Sequence, residues 1–183
     1  MTSKRTICYA SFADKAERYQ RETLRAVFDA SRAPLSPATR WFFSRCIVGE
    51  NMESRLRSLH GCARSGRYVA EVGDLAHCDE VRTMHETVDT GGDCEDWAAV
   101  LFAGIKLCGA QPLLVTSGEA HDNFMHVAAA ALWGQQLWLL DPKGDSIGAP
   151  FNVRSETYPV RRYWAPGVYG QAVEVHIFQG VAA

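Results

Sequence analysis

The middle of the chain carries its clearest hydrophobic pattern. From Cys94 the apolar positions fall at Trp97, Ala98, Leu101, Phe102, Ile105 and Cys108. A spacing of three and four predicts one face of a helix. Asp93 is a good N-cap for it and Gly109 a good stop. Further on the period shortens. Residues 112–116 predict a strand, 118–123 a polar loop, and 124–132 a second strand. A turn over 133–136 leads into a third strand, 137–141, closed by Pro142.

Upstream, the pattern is helical. Residues 12–31 place Phe12, Ala16, Tyr19, Ala26, Val27 and Phe28 among many charges. The run 31–37, with two prolines, breaks that helix. Helices over 38–48, with Trp41, Phe42 and Cys46, and over 50–62, with Met52, Leu56 and Leu59, follow. Near the C-terminus, 158–160 and 173–178 predict further strands. Arg154, Arg161 and Arg162, with Tyr163 and Trp164 nearby, read as a solvated rim over aromatic packing. A substrate-facing role is the alternative for that group. With no repeat and no long linker, residues 1–183 predict one α+β domain, a helical part over 1–64 and a core with a sheet over 65–183.

Composition narrows the function classes. The 183 residues are 47% apolar and 22% charged with a net charge of −2, so neither nucleic acid nor an anionic membrane is an expected partner. No apolar run approaches a membrane span. The N-terminal residues lack a secretory leader, so a cytoplasmic protein is expected. The six cysteines are then expected to be reduced, with Cys46 and Cys108 as buried small hydrophobes. His77, Cys78, His85 and Cys94 are metal-ligand types, but their spacing fits no common zinc site. No metal or cofactor is expected, since nothing resembles a nucleotide or acyl-carrier site either.

The stretch 90–97, Thr-Gly-Gly-Asp-Cys-Glu-Asp-Trp, holds the candidate chemistry. Its Gly-Gly turn delivers Cys94 to the first turn of the helix, among free backbone N–H groups. Those donors favour a thiolate and can hold an oxyanion. The neighbouring carboxylates oppose the thiolate, so a partner base is required. His126 lies in one strand of the hairpin and Asp141 ends the other, close enough for a carboxylate to orient an imidazole. His121, in the loop, is the rival base. Each residue also has a plainer use: an inert buried cysteine, a core histidine, an Asp-Pro turn. Asp93, Glu95 and Asp96 read as capping and dipole-complementing acids rather than calcium ligands, since Ca²⁺ needs six or more oxygens.

Three blocks, Gly92-Asp93-Cys94-Glu95-Asp96, Phe124-Met125-His126-Val127 and Trp138-Leu139-Leu140-Asp141-Pro142, resemble the signatures of the transglutaminase-like superfamily. The Asp-Cys-Glu-Asp form is similar to that of bacterial transglutaminase-like cysteine proteinases. The lead-in from Arg67-Tyr68-Val69 through Asp79-Glu80-Val81 to Thr87 resembles phage-encoded members. The resemblance covers roughly residues 65–145. It implies a papain-like α+β core with Cys94, His126 and Asp141 as catalytic residues. It further implies hydrolysis of an amide bond in a protein or a cell-wall peptide. The alternative it implies is a phage head or tail component that meets other virion proteins, active or not.

Overall fold

The structure, a computed structural model, describes residues 5–8, 16–69, 78–120, 123–143 and 160–176. Its centre is helix α5 (Cys94–Cys108), in which all but Lys106 and Leu107 are buried. The sequence pattern marks one face of this helix. In the fold the other face is enclosed as well, because Ala99, Val100, Ala103 and Gly104 are small enough to let neighbours close in. A Cβ at Gly104 would stand 2.7 Å from the Leu59 methyl groups of α3 (Met52–Ser65). A helix apolar on every side belongs inside a protein.

Around α5 lie α1 (Ala16–Ser31), α2 (Pro37–Cys46), α3, the short α4 (Met84–Thr90) and a five-stranded antiparallel sheet. The sheet contains β3 (Gln111–Ala120), β4 (Asn123–Trp133), β5 (Gln136–Leu140), β6 (Val160–Pro166) and β7 (Ala172–Val175), in the order β5-β4-β3-β6-β7. Alternation along the strands sorts the two faces. Leu114, Val127 and Ala129 join clusters with α5, whereas Leu113, Val115 and Ala130 pack on the opposite face. Residues 118–120 and 123, expected in a loop, belong instead to β3 and β4. A second, two-stranded sheet pairs β1 (Arg5–Cys8) with β2 (Cys78–Val81). That pairing joins residues more than seventy positions apart, and no local pattern announces it.

Two expectations need correction. Of the group expected as a solvated rim over aromatic packing, Trp164 is the packing, but Arg162 is not solvated rim: both lie in β6, between β3 and β7, and the Arg162 side chain is mostly covered. The Arg162 guanidinium pairs with Glu174 at 2.6 Å and stands 3.7 Å from Glu17. Its hydrogen bonds hold the Glu174 carboxyl below its usual range. Trp164 is wholly buried, and its indole N–H shares the Thr116 hydroxyl with the Gln20 amide, each at 2.9 Å. Arg162 and the buried Trp164 are therefore part of a joint between α1 and the sheet. Arg154 lies outside the described residues.

The second correction concerns the cysteines. Cys46 and Cys62 form a disulfide between α2 and α3, with Cα atoms 5.7 Å apart. Such cross-links persist in oxidising surroundings. Cys94 and Cys108 are free thiols, both buried. Among the described residues no helix is long and apolar enough to cross a membrane.

Candidate active site

The Gly-Gly turn is tight rather than loose. Gly91 caps α4 at φ +91°, a conformation that favours glycine, and a side chain there would strike the Arg67 backbone. Gly92 forms a bridge with Tyr68, and a Cβ on it would meet the Asp96 side chain at 2.5 Å. Chain segments thus close on the start of α5 from both sides. Asp93 caps the helix as expected. Its carboxylate accepts from Asp96 N–H at 3.4 Å, and the Asp96 carboxylate accepts from Asp93 N–H at 3.3 Å.

Asp96 also accepts the Arg82 backbone N–H at 2.7 Å, which ties the end of β2 to the helix. Burial, with Asp93 beside it, pushes the Asp96 carboxyl up to about 7. Asp93 and Asp96 therefore use their oxygens on the chain's own donors. No group of three or more metal-ligating side chains is assembled among the described residues. His85, one of the zinc-type residues, sits 3.4 Å from Asp89 and 3.3 Å from the Ser36 hydroxyl. His77 lies outside the described residues.

Cys94 is 8% exposed. Its thiol donates to Glu95 Oε2 at 2.9 Å, and the Val127 backbone N–H on β4 stands close enough to act on the sulfur. Burial, then the Glu95 carboxylate, pushes the thiol well above its usual range, while the Val127 N–H acts the other way. The resting group is thus a protonated thiol at neutral pH. Glu95→Gln removes the charge and is expected to speed iodoacetamide alkylation of Cys94 at pH 7 by roughly tenfold. Mass spectrometry of the labelled peptide measures this. An unchanged rate would mean that the carboxylate does not hold the proton.

The hairpin supplies the other two candidates. Leu140 ends β5 opposite Ala129, so beyond that point β5 no longer covers the edge of β4. By the same register Asp141 falls beside Ala128, two residues from His126 on one side of the strand. His126 Nε2 donates to Asp141 Oδ1 at 2.9 Å. The ladder slips just before His126: Ser117 faces His126 and Gly118 faces Phe124, leaving residue 125 as an extra. A bulge of this kind bends a strand and re-aims the side chains next to it.

Asp141 is itself held. Its Oδ1 accepts the Lys143 backbone N–H at 2.8 Å, and its carbonyl accepts from His60 Nε2 on α3, also at 2.8 Å. Burial lowers the His60 pKa, which keeps that ring neutral, with its proton on the nitrogen facing the carbonyl.

His126 and Asp141 are thus brought together, and Cys94 is brought to β4 at the residue next to His126. The rival base His121 lies outside the described residues. The opposition of a neighbouring carboxylate, expected from the sequence, comes from Glu95, whereas sequence reasoning missed the support from His60. His60 stands 81 positions before Asp141, so only the fold connects them.

No known family profile matches the chain, and no curated protein matches it. Among solved structures it is similar to a protein of Parabacteroides distasonis provisionally described as a protease. The TM-score is 0.58 at 10% identity, over 87% of this chain and 31% of that one. This chain thus spans under a third of that protein's length. Legionella pneumophila LapG is similar at a TM-score of 0.48 in two forms. The calcium-bound form is 16% identical, over 73% of this chain and 75% of LapG. The EGTA-treated form is 14% identical, over 73% of each chain. The likeness to the Parabacteroides protein bears on the fold, which is α+β and consistent with a papain-like core.

Proposed function

We propose that the protein is a cysteine hydrolase, a protease or amidase, that works through Cys94, His126 and Asp141. One observation carries the reading. The Cys94 sulfur meets the backbone of β4 at Val127, next to a histidine whose Nε2 is bound by a carboxylate at 2.9 Å. With Nε2 committed to Asp141, Nδ1 is the nitrogen that serves the thiol. A nucleophile, a base and a group that orients the base are the parts that covalent amide hydrolysis needs.

The steps follow from the residues. His126 takes the thiol proton as the sulfur attacks an amide carbon, and a C–S bond forms. The carbonyl oxygen becomes an oxyanion facing N–H groups at the start of α5. The intermediate collapses, the C–N bond breaks, and His126 passes the proton to the leaving amine. Water, deprotonated by His126, then cleaves the thioester and restores the thiol. The substrate class is a protein or a peptide, including the peptide part of a cell wall.

Incubation with a mixture of peptides tests the proposal. New N-termini should appear with the unaltered protein and be missing with Cys94→Ala. Equal cleavage by both would remove Cys94 from the chemistry. No cleavage by either, with an unreactive thiol, would leave the fold serving as a structural or interaction module, such as a virion component.

A further inference from the structure

Asp141 reaches His126 from a place the sheet does not secure. The last paired residue of β5 is Leu140, so Asp141 stands one residue beyond the ladder, and the chain turns at Pro142 immediately afterwards. A hydrogen bond weakens steeply as its distance and angle drift, so a small swing of this backbone would loosen Oδ1 from the His126 ring. The Lys143 N–H that also reaches Oδ1 belongs to the same turn and cannot anchor that turn to the rest of the molecule. His60 can. Its Nε2 donates to the Asp141 carbonyl at 2.8 Å from a ring that is 4% exposed. Burial keeps that ring neutral, so its one proton sits on the nitrogen that faces the carbonyl.

The helix that carries His60 is fixed on both sides of it. One position earlier, Leu59 fills the space that Gly104 leaves on α5. Two positions later, Cys62 is bonded to Cys46 of α2. Three positions earlier, the Arg57 guanidinium lies over the Trp138 ring, 5.8 Å from its centroid. Residues three apart are neighbours on a helix surface. Arg57 and His60 therefore form one ridge, and it meets Trp138 within β5 and Asp141 just past its end. A donor mounted on so well-packed a helix holds its acceptor more firmly than one carried by a loop.

We propose that His60 is a positioning residue: by tying the Asp141 backbone to α3, it keeps the Asp141 carboxylate on His126 and the His126 ring in the orientation that serves Cys94. The proposal rests on the roles assigned above to those three residues. His60 touches neither the substrate nor the reacting atoms, and its proton is not transferred. It supplies a fixed N–H, which a glutamine amide can offer from nearly the same place and a leucine cannot.

Variants of the full chain separate the donor from the bulk of the ring. His60→Leu should lower kcat for peptide cleavage by on the order of 10–10²-fold with KM nearly unchanged, and His60→Gln should recover most of that loss. His60→Met removes the same donor with a more adaptable side chain, and replaces the leucine variant if circular dichroism shows that one unfolded. Proton NMR of the N–H at His126 Nε2 reads the geometry without turnover. Its signal should be sharp in the unaltered protein and in His60→Gln, and broadened by exchange with water in His60→Leu. Full activity in His60→Leu, or an equal loss in the leucine and glutamine variants, would overturn the proposal, the second by showing that only the ring's packing matters. A failure of the functional reading is told apart, because the unaltered protein would then cleave nothing. The NMR comparison still decides the role of His60 in that case, and equal signals in all the variants would overturn it.

Discussion

Replacing His126 with alanine is expected to lower amide hydrolysis by on the order of 10⁴-fold or more. The size of the effect follows from the state of the thiol. Burial and Glu95 keep Cys94 protonated, so this sulfur has little nucleophilicity of its own at neutral pH. The reaction therefore depends on a base at the moment of attack, and on the same ring to protonate the leaving amine. Release of peptide products, measured against the unaltered protein, reads the loss. Circular dichroism checks that the fold survives. A drop of less than about tenfold would assign the proton transfer to another group.

The largest expected effect on stability is at Trp164. Its side chain is wholly buried and packs in the cluster that holds Leu24, Phe28, Phe102 and Leu114. The Arg162 and Arg21 guanidinium groups lie over its ring at 4.5 and 5.2 Å from the centroid. Trp164→Ala opens a large cavity, removes a donor to Thr116 and strips both cations of their ring. The expected cost is about 3–5 kcal/mol, or a fall in Tm of roughly 10 °C. Tyr169→Ala is the control, since that side chain is 88% exposed in the turn between β6 and β7 and should shift Tm little. Equal shifts for the two variants would contradict the buried joint.

The elements nearest the site were legible because their signals are local. Asp93, the run from Trp97 to Cys108 and Gly109 mark a capped helix by neighbouring residues alone, and the structure begins and ends α5 there. The hairpin is marked in the same way: the turn near Gly134 sets the register, and the register places Asp141 near His126. What failed to show depends on long-range contact. The strand at Arg5–Cys8 exists because β2 pairs with it. Arg162 of β6 looks like surface until Glu174 and Gln20 arrive to satisfy it. Cys46 reads as a small hydrophobe until the α2–α3 packing sets Cys62 beside it.

The central claim is that one buried thiol is activated by the histidine of the neighbouring strand. The most direct test is the rate of iodoacetamide labelling at each cysteine of the native protein at pH 7, resolved by peptide mass spectrometry and repeated with His126→Ala. The account predicts labelling at Cys94 well ahead of Cys108, a buried thiol whose pKa burial raises to about 11. It also predicts that the lead of Cys94 disappears in the variant. Slow labelling of both thiols alike, or a Cys94 rate indifferent to the loss of His126, would contradict it.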